Sequence, residues 1–237
     1  RGLVVYDARD PGRMTPVGNA EIPQGVVVFH KHGSIATLLA HGPDMRSLVT
    51  LDDADPDRPV VLGRTSTPRW NATDMALRQQ YAYVAIGTSA VPVVDLSQPT
   101  QPRVVGRFVA DDNPTKLAAA ADRLYLWRWK RLMVADTSDP LRPMLVGAYE
   151  FQSDSVERTI SAVASSGTWV YVVLGKDGLA VLDTADPTSV VQEAWMELPG
   201  VRDVLVSDGD LIVRAADYVA MLDLTDPLNP ELLGRLD

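Results

Sequence analysis

Apolar residues fall into short runs with strand-like alternation, each cut off by a cluster of turn formers. The stretch beginning at Asp74 shows the unit. Asp74-Met75-Ala76-Leu77 is followed by a Gln79-Gln80 turn, and Tyr81-Ala82-Tyr83-Val84-Ala85-Ile86, rich in β-formers, ends at Gly87. Val91-Pro92-Val93-Val94 comes next, then Asp95 to Pro102, dense in turn residues, then Arg103-Val104-Val105-Gly106-Arg107-Phe108. This pattern predicts four short antiparallel strands. Leu117-Ala118-Ala119-Ala120-Ala121 has helical propensity, but it fills the slot of Met75-Ala76-Leu77 and of Val204-Leu205-Val206, so it is predicted as strand.

The unit repeats. An aliphatic strand runs into Asp, two residues, an acid or Gln, and Pro at Asp7…Pro11, Asp52…Pro56, Asp95…Pro99, Asp136…Pro140, Asp183…Pro187 and Asp223…Pro227. The leading aspartates are 45, 43, 41, 47 and 40 residues apart. A fixed period of this size marks one supersecondary unit repeated, and four short strands per period make a β-propeller blade. The motif itself reads as turn chemistry. Asp bonds amides two residues on, and Pro presets φ and withholds a ladder donor. Calcium is the competing reading of six spaced acids, but one turn offers two carboxylates where an oxygen cage needs about six to eight ligands.

Leu132-Met133-Val134-Ala135-Asp136-Thr137-Ser138-Asp139-Pro140-Leu141-Arg142-Pro143-Met144-Leu145-Val146-Gly147 is the cleanest copy. It closely resembles the LVIVD repeat, and the resemblance extends over essentially the whole chain. It implies a bacterial or archaeal protein, often exported, with a β-propeller fold, and it brings no catalytic residues. Two copies depart from the pattern. The fifth lacks the second proline and the glycine (Ser189-Val190-Val191-Gln192), which predicts a shifted outer strand. The first places Gly12-Arg13-Met14-Thr15 before Pro16 and reads as one residue longer.

Before Asp7 there is room only for a third strand, and the chain ends on a fourth. The expectation is an all-β, single-domain propeller over residues 1–237. It has a half-blade over 1–22 and five full blades centred on Asp52, Asp95, Asp136, Asp183 and Asp223, with a six-bladed ring in the parent protein. Closure would need upstream residues, or a partner covering the exposed edge.

Charge and residue usage narrow the function classes. A net charge of −9 argues against nucleic acid and anionic lipid as partners. The absence of cysteine excludes disulfides and thiolate chemistry. No apolar run approaches the length of about 18 residues needed to span a bilayer as a helix. No Gly-rich phosphate loop, His-Glu-x-x-His or Gly-x-Ser-x-Gly occurs, so no cofactor is predicted. His30-Lys31-His32 and His41 suggest a metal site at first. With Gly33 turning a hairpin, however, His41 pairs back near Gln24, far from the other two.

Function is therefore sought where the repeats differ. The hairpin Arg128-Trp129-Lys130-Arg131 stands in the slot of Gly87-Thr88-Ser89-Ala90 and Gly175-Lys176-Asp177-Gly178. Three cations and an indole at a turn tip suggest a contact for an anionic or aromatic partner; packing of Trp127 or Trp129 across a neighbouring loop is the alternative. Asp74, Lys116, Ser161 and Asp203, preceded by Asn71, Asn113 and Arg158, align at the heads of innermost strands. There they would gather at a channel mouth, as strand caps or as a small-ligand site with acid–base capacity. The crossing from Tyr149 to Arg158 is the longest between blades. The resulting expectation is a non-catalytic module binding another protein or its own parent assembly at a cell surface. The alternative is an enzyme or small-ligand binder at the channel mouth.

Overall fold

The structure, a computed structural model, describes all residues except 1, 8, 11–12, 23–24, 42–45, 68–70, 153–158 and 177. Strands β1 (Gly2–Asp7) and β2 (Thr15–Glu21) form a two-stranded antiparallel sheet, the expected half-blade. Blade 1 comprises β3 (Gly25–His32), β4 (Ile35–His41), β5 (Arg46–Asp52) and β6 (Val60–Thr67). Blade 2 comprises β7 (Asp74–Arg78), β8 (Tyr81–Ala85), β9 (Ala90–Asp95) and β10 (Arg103–Val109). Blade 3 comprises β11 (Lys116–Ala120), β12 (Arg123–Arg128), β13 (Arg131–Asp136) and β14 (Met144–Glu150). Blade 4 comprises β15 (Ile160–Ser166), β16 (Trp169–Leu174), β17 (Gly178–Asp183) and β18 (Val191–Glu197). Blade 5 comprises β19 (Val201–Ser207), β20 (Asp210–Ala215), β21 (Val219–Asp223) and β22 (Glu231–Leu236). Each blade is a four-stranded antiparallel meander. The alanine run is strand β11, ending where Ala121 turns with φ +48°.

Two compact units emerge, residues 1–117 with 140–142, and residues 118–139 with 143–237. In each, middle strands are buried on both faces and outer strands are largely exposed. β12, β13, β16 and β17, for example, hold Tyr125, Leu132, Val134, Tyr171, Val172 and Leu182 at 0–1% exposure. Among the described residues, no helix is long and apolar enough to cross a membrane.

The aspartate phrase is turn chemistry, as its residue types predict. Each leading acid accepts the amide two places on: Arg9 to Asp7, Ala54 to Asp52, Ser97 to Asp95, Ser138 to Asp136, Ala185 to Asp183 and Thr225 to Asp223. The second acid repeats the device, Asp55 taking Asp57 N, Asp186 taking Thr188 N and Asp226 taking Leu228 N. Side-chain bonds from Ser97, Thr188, Thr225 and Asn229, aided by these amides, hold the ionised form, so the carboxyls of Asp95, Asp186, Asp223 and Asp226 lie below the usual range.

All six copies then share one register, which corrects two expectations. The leading Asp pairs with the residue eight places on: Asp7 with Thr15, Asp52 with Val60, Asp95 with Arg103, Asp136 with Met144, Asp183 with Val191 and Asp223 with Glu231. A β-bulge follows at once in every copy, so that Gly18, Gly63, Gly106, Gly147, Ala194 and Gly234 face Val5, Thr50, Val93, Val134, Val181 and Met221. The fifth outer strand is not shifted, because a 3₁₀ turn at Pro187–Ser189, capped by Asp186, spans the same gap without the second proline. Nor is the first copy longer in register, because Thr15 already pairs with Asp7.

The bulge aims this row at the turn of the following blade. A Cβ on Gly18 or Gly147 would strike the carbonyl of Pro56 or Pro187, and one on Gly63 would stand 2.5 Å from that of Pro99. Hydroxyls complete the four joints from blade 1 onward. Thr50 donates to the Pro99 carbonyl, Tyr83 to that of Pro140 at 3.2 Å and Tyr171 to that of Pro227 at 3.3 Å, while Tyr125 pairs with Thr184 Oγ1 at 3.2 Å. Replacing Gly147 by valine forces the Pro187 turn aside and costs about 3 kcal/mol. The same change at Gly234, where no described residue lies within 4 Å of the added Cβ, leaves stability near wild type; urea denaturation of both variants checks the contrast.

Candidate functional site

The Arg128–Arg131 hairpin ends the middle strands of blade 3, where Arg128 pairs with Arg131 and Trp129-Lys130 makes the turn. Its two tryptophans diverge. Trp127 is 4% exposed and belongs to the core with Tyr125, Leu132, Phe151 and Ile160, whereas Trp129 is 63% exposed. Trp129 also has φ +57°, the left-handed region that bulky side chains avoid, and such a residue persists only where its surroundings fix it. Here backbone bonds do so: Ile160 N donates to the Trp129 carbonyl at 2.6 Å and Phe151 N to that of Lys130 at 3.0 Å. The Arg128 guanidinium lies 5.8 Å from the indole centroid. The indole is thus displayed on a tip tied to the next blade's first strand. The crossing after Glu150 begins with buried Phe151, edge-on to Tyr149 at 4.8 Å, and its length from 153 to 158 lies outside the described residues.

The strand-head residues divide. Asp74 is 9% exposed, and its Oδ2 accepts Leu117 N at 3.0 Å, with Lys116 Nζ 4.0 Å away. Nearby, Thr73 Oγ1 donates to the Thr115 carbonyl at 2.9 Å, and His30 Nε2 lies 2.7 Å from the Met75 carbonyl. Burial pushes the Asp74 carboxyl above its ordinary value, against the Leu117 amide, Lys116 and His30. Asp74 and Lys116 therefore join the heads of β7 and β11. Asn71 and Asn113 are exposed, and Asn113 N donates to Asp112 at 2.6 Å.

Asp203 holds the register of Asp74, opposite Arg214 as Asp74 is opposite Ala85, and it pairs with Arg214 at 3.1 Å. Ser161 is the extra residue of a bulge in β15 and exposed, one place out of register with Asp203, so these two are not equivalent. Arg158 lies outside the described residues.

The histidines are apart in the ladder: His41 pairs with Gly25, and His32 with Ile35 at the other end of the hairpin. Among the described residues, no three His, Asp or Glu side chains gather as a metal site.

Comparison with known proteins then identifies the repeat. A family model described as LVIVD repeat matches residues 71–110, 124–150 and 158–193. The chain carries LVIVD repeats over these residues. No curated protein sequence matches it. Among solved structures, a protein from Lactobacillus plantarum shares 12% identity at TM-score 0.76, over 95% of this chain and 74% of that one. The Cps50 (Swd1) β-propeller domain of Myceliophteria thermophila shares 11% at TM-score 0.58, over 91% and 76%. BamB of Moraxella catarrhalis shares 13% at TM-score 0.62, over 94% and 68%. At these identities the likeness establishes the fold alone, a β-propeller.

Within the LVIVD repeat, sequence reasoning missed the role of the closing glycine and of Tyr83, Tyr125 and Tyr171. The signal was present. These tyrosines face Val93, Val134 and Val181, each two residues before a leading Asp, in the same row as the glycine or alanine.

Two outcomes follow from this geometry. The raised Asp74 carboxyl binds its proton more tightly folded than unfolded, so the group's contribution to stability falls as pH rises through its ordinary value toward the raised one. Asp74→Asn keeps an oxygen for the Leu117 amide and removes that loss, so the variant gains on wild type in urea titrations as pH rises above the ordinary carboxylate value. A pH-independent difference would contradict this. Trp129→Gly relieves the left-handed strain and raises unfolding free energy by about 1 kcal/mol, read by the same method.

Proposed function

We propose that this chain is a non-catalytic binding propeller, exported or displayed at a cell surface, whose contact for another protein is the Arg128–Arg131 hairpin. One observation carries the reading: a large indole is held 63% exposed in a strained conformation on a tip that backbone bonds keep rigid. A folded protein that leaves Trp129 outside, with Arg128 beside it, has an anchor whose ordering cost is already met. Lys130 and Arg131 flank it, so the matching surface is acidic with an apolar or aromatic centre. The location follows from the LVIVD resemblance.

The reading of the strand heads as an enzyme or small-ligand site has one observation in its favour. Burial raises the Asp74 carboxyl above its ordinary value, the direction a general acid needs. Against it, Asp74 Oδ2 is taken by a main-chain amide and Asp203 by Arg214.

A partner captured by immobilised wild type and then titrated separates the readings. Trp129→Ala weakens binding about tenfold or more, and Arg128→Glu weakens it further at low salt than at high salt. Affinity unchanged in both variants removes the hairpin from the interface.

A further inference from the structure

Three of the blades' first strands carry a β-bulge near their heads, whereas β7 carries none. The extra residue is Val27 in β3, Ser161 in β15 and Arg202 in β19. A bulge leaves its extra residue out of the ladder and re-aims the side chain. Val27 is accordingly 48% exposed, and Ser161 and Arg202 are exposed too. The slot is apolar in blade 1, but in blades 4 and 5 it holds a hydroxyl and a guanidinium.

Those two slots are neighbours. Ala162, next to Ser161, shares one core cluster with Val201 and Val204, which stand on either side of Arg202. Main-chain bonds fix both strand heads. Ile160 N donates to the Trp129 carbonyl at 2.6 Å, and Gly175 N to that of Thr159 at 3.0 Å. In blade 5, Gly200 N donates to the Lys176 carbonyl at 2.8 Å, and Ala216 N to that of Gly200 at 3.0 Å. The backbone carrying Ser161 and Arg202 is therefore held before any ligand arrives.

The local charge is unlike that of the chain as a whole. Asp203, the acid beside Arg202 in β19, is already engaged on both oxygens. Oδ2 takes Arg214 at 3.1 Å, and Oδ1 takes Val204 N at 3.1 Å. Among the described residues, neither Ser161 nor Arg202 has a side-chain hydrogen bond or ion pair. Arg202, Arg214 and Asp203 thus leave one positive charge here, in a chain of net charge −9. A guanidinium offers a planar fork of N–H donors and a hydroxyl adds another, a set that carboxylate or phosphate oxygens match.

We propose that the bulge pair Ser161 and Arg202 forms a binding site for a small oxyanion, a carboxylate or a phosphate, at the heads of β15 and β19. It needs neither Asp74 nor Asp203 as a ligand, and it does not depend on protein binding by the Trp129 hairpin.

Isothermal titration calorimetry at low salt, with inorganic phosphate in one arm and succinate in the other, tests the site. At least one of the two binds wild type with a Kd of about 1 mM or tighter, and the tighter arm identifies the anion. Arg202→Ala weakens that binding about tenfold or more, and Ser161→Ala about threefold. Arg202→Lys, which keeps the charge but loses the fork, falls between wild type and Arg202→Ala. Trp129→Ala leaves the Kd unchanged, which keeps this site distinct from the hairpin. Both bulge residues are exposed, so their variants retain the wild-type urea midpoint, and misfolding is excluded as the cause of lost binding. Absence of heat from both anions up to about 20 mM overturns the proposal, as does a Kd that Arg202→Ala leaves unchanged.

Discussion

The architecture rests on one close approach: the main chain of an Asp–Pro turn lying against the bare backbone of the preceding blade's outer strand. There is no room for a methyl group at Gly18, Gly63 or Gly147. The bulge next to each of these positions tips the strand toward the neighbour. The remaining features serve that contact. The acids fold the turn, proline holds it, and a threonine or tyrosine hydroxyl from the same row satisfies a carbonyl or hydroxyl that the contact would otherwise bury unpaired.

This division of labour explains why so acidic a chain shows so little acid chemistry. The depressed carboxyls at Asp186, Asp223 and Asp226 are lowered chiefly by bonds to Thr188, Thr225 and Asn229, and those bonds form one turn each. They stabilise the fold above their unfolded pKa and lose that contribution as pH falls through the folded value. Asp74 is the opposite case, a buried carboxylate with a raised pKa that links two strand heads. Different surroundings thus give one residue type two electrostatic behaviours.

The strands, their order, the half-blade and the turn role of Asp-x-x-Asp-Pro were legible in the sequence because they depend on local propensity and a strict period. The bulge was not, since it adds a residue to one strand without changing the spacing of the aspartates. Ser161 aligned with Asp203 by eye, although Ser161 is the extra residue of the β15 bulge and its counterpart in β19 is Arg202. The contrast between Trp127 and Trp129 was equally hidden. Two residues apart near a hairpin tip, they differ by whether the side chain joins the core or rides on a turn with φ +57°. The glycine was visible as part of the motif, but its partner is a carbonyl some forty residues downstream, a distance no local pattern reports.

Because every joint links a blade only to the next one, cooperativity is nearest-neighbour in kind. Among the described residues, the half-blade β1–β2 shows one covered glycine, while blade 2 is joined to a neighbour on each side. A protein built this way changes length by whole repeats more readily than it changes a blade, since an added unit needs only one glycine row and one turn to match its neighbours.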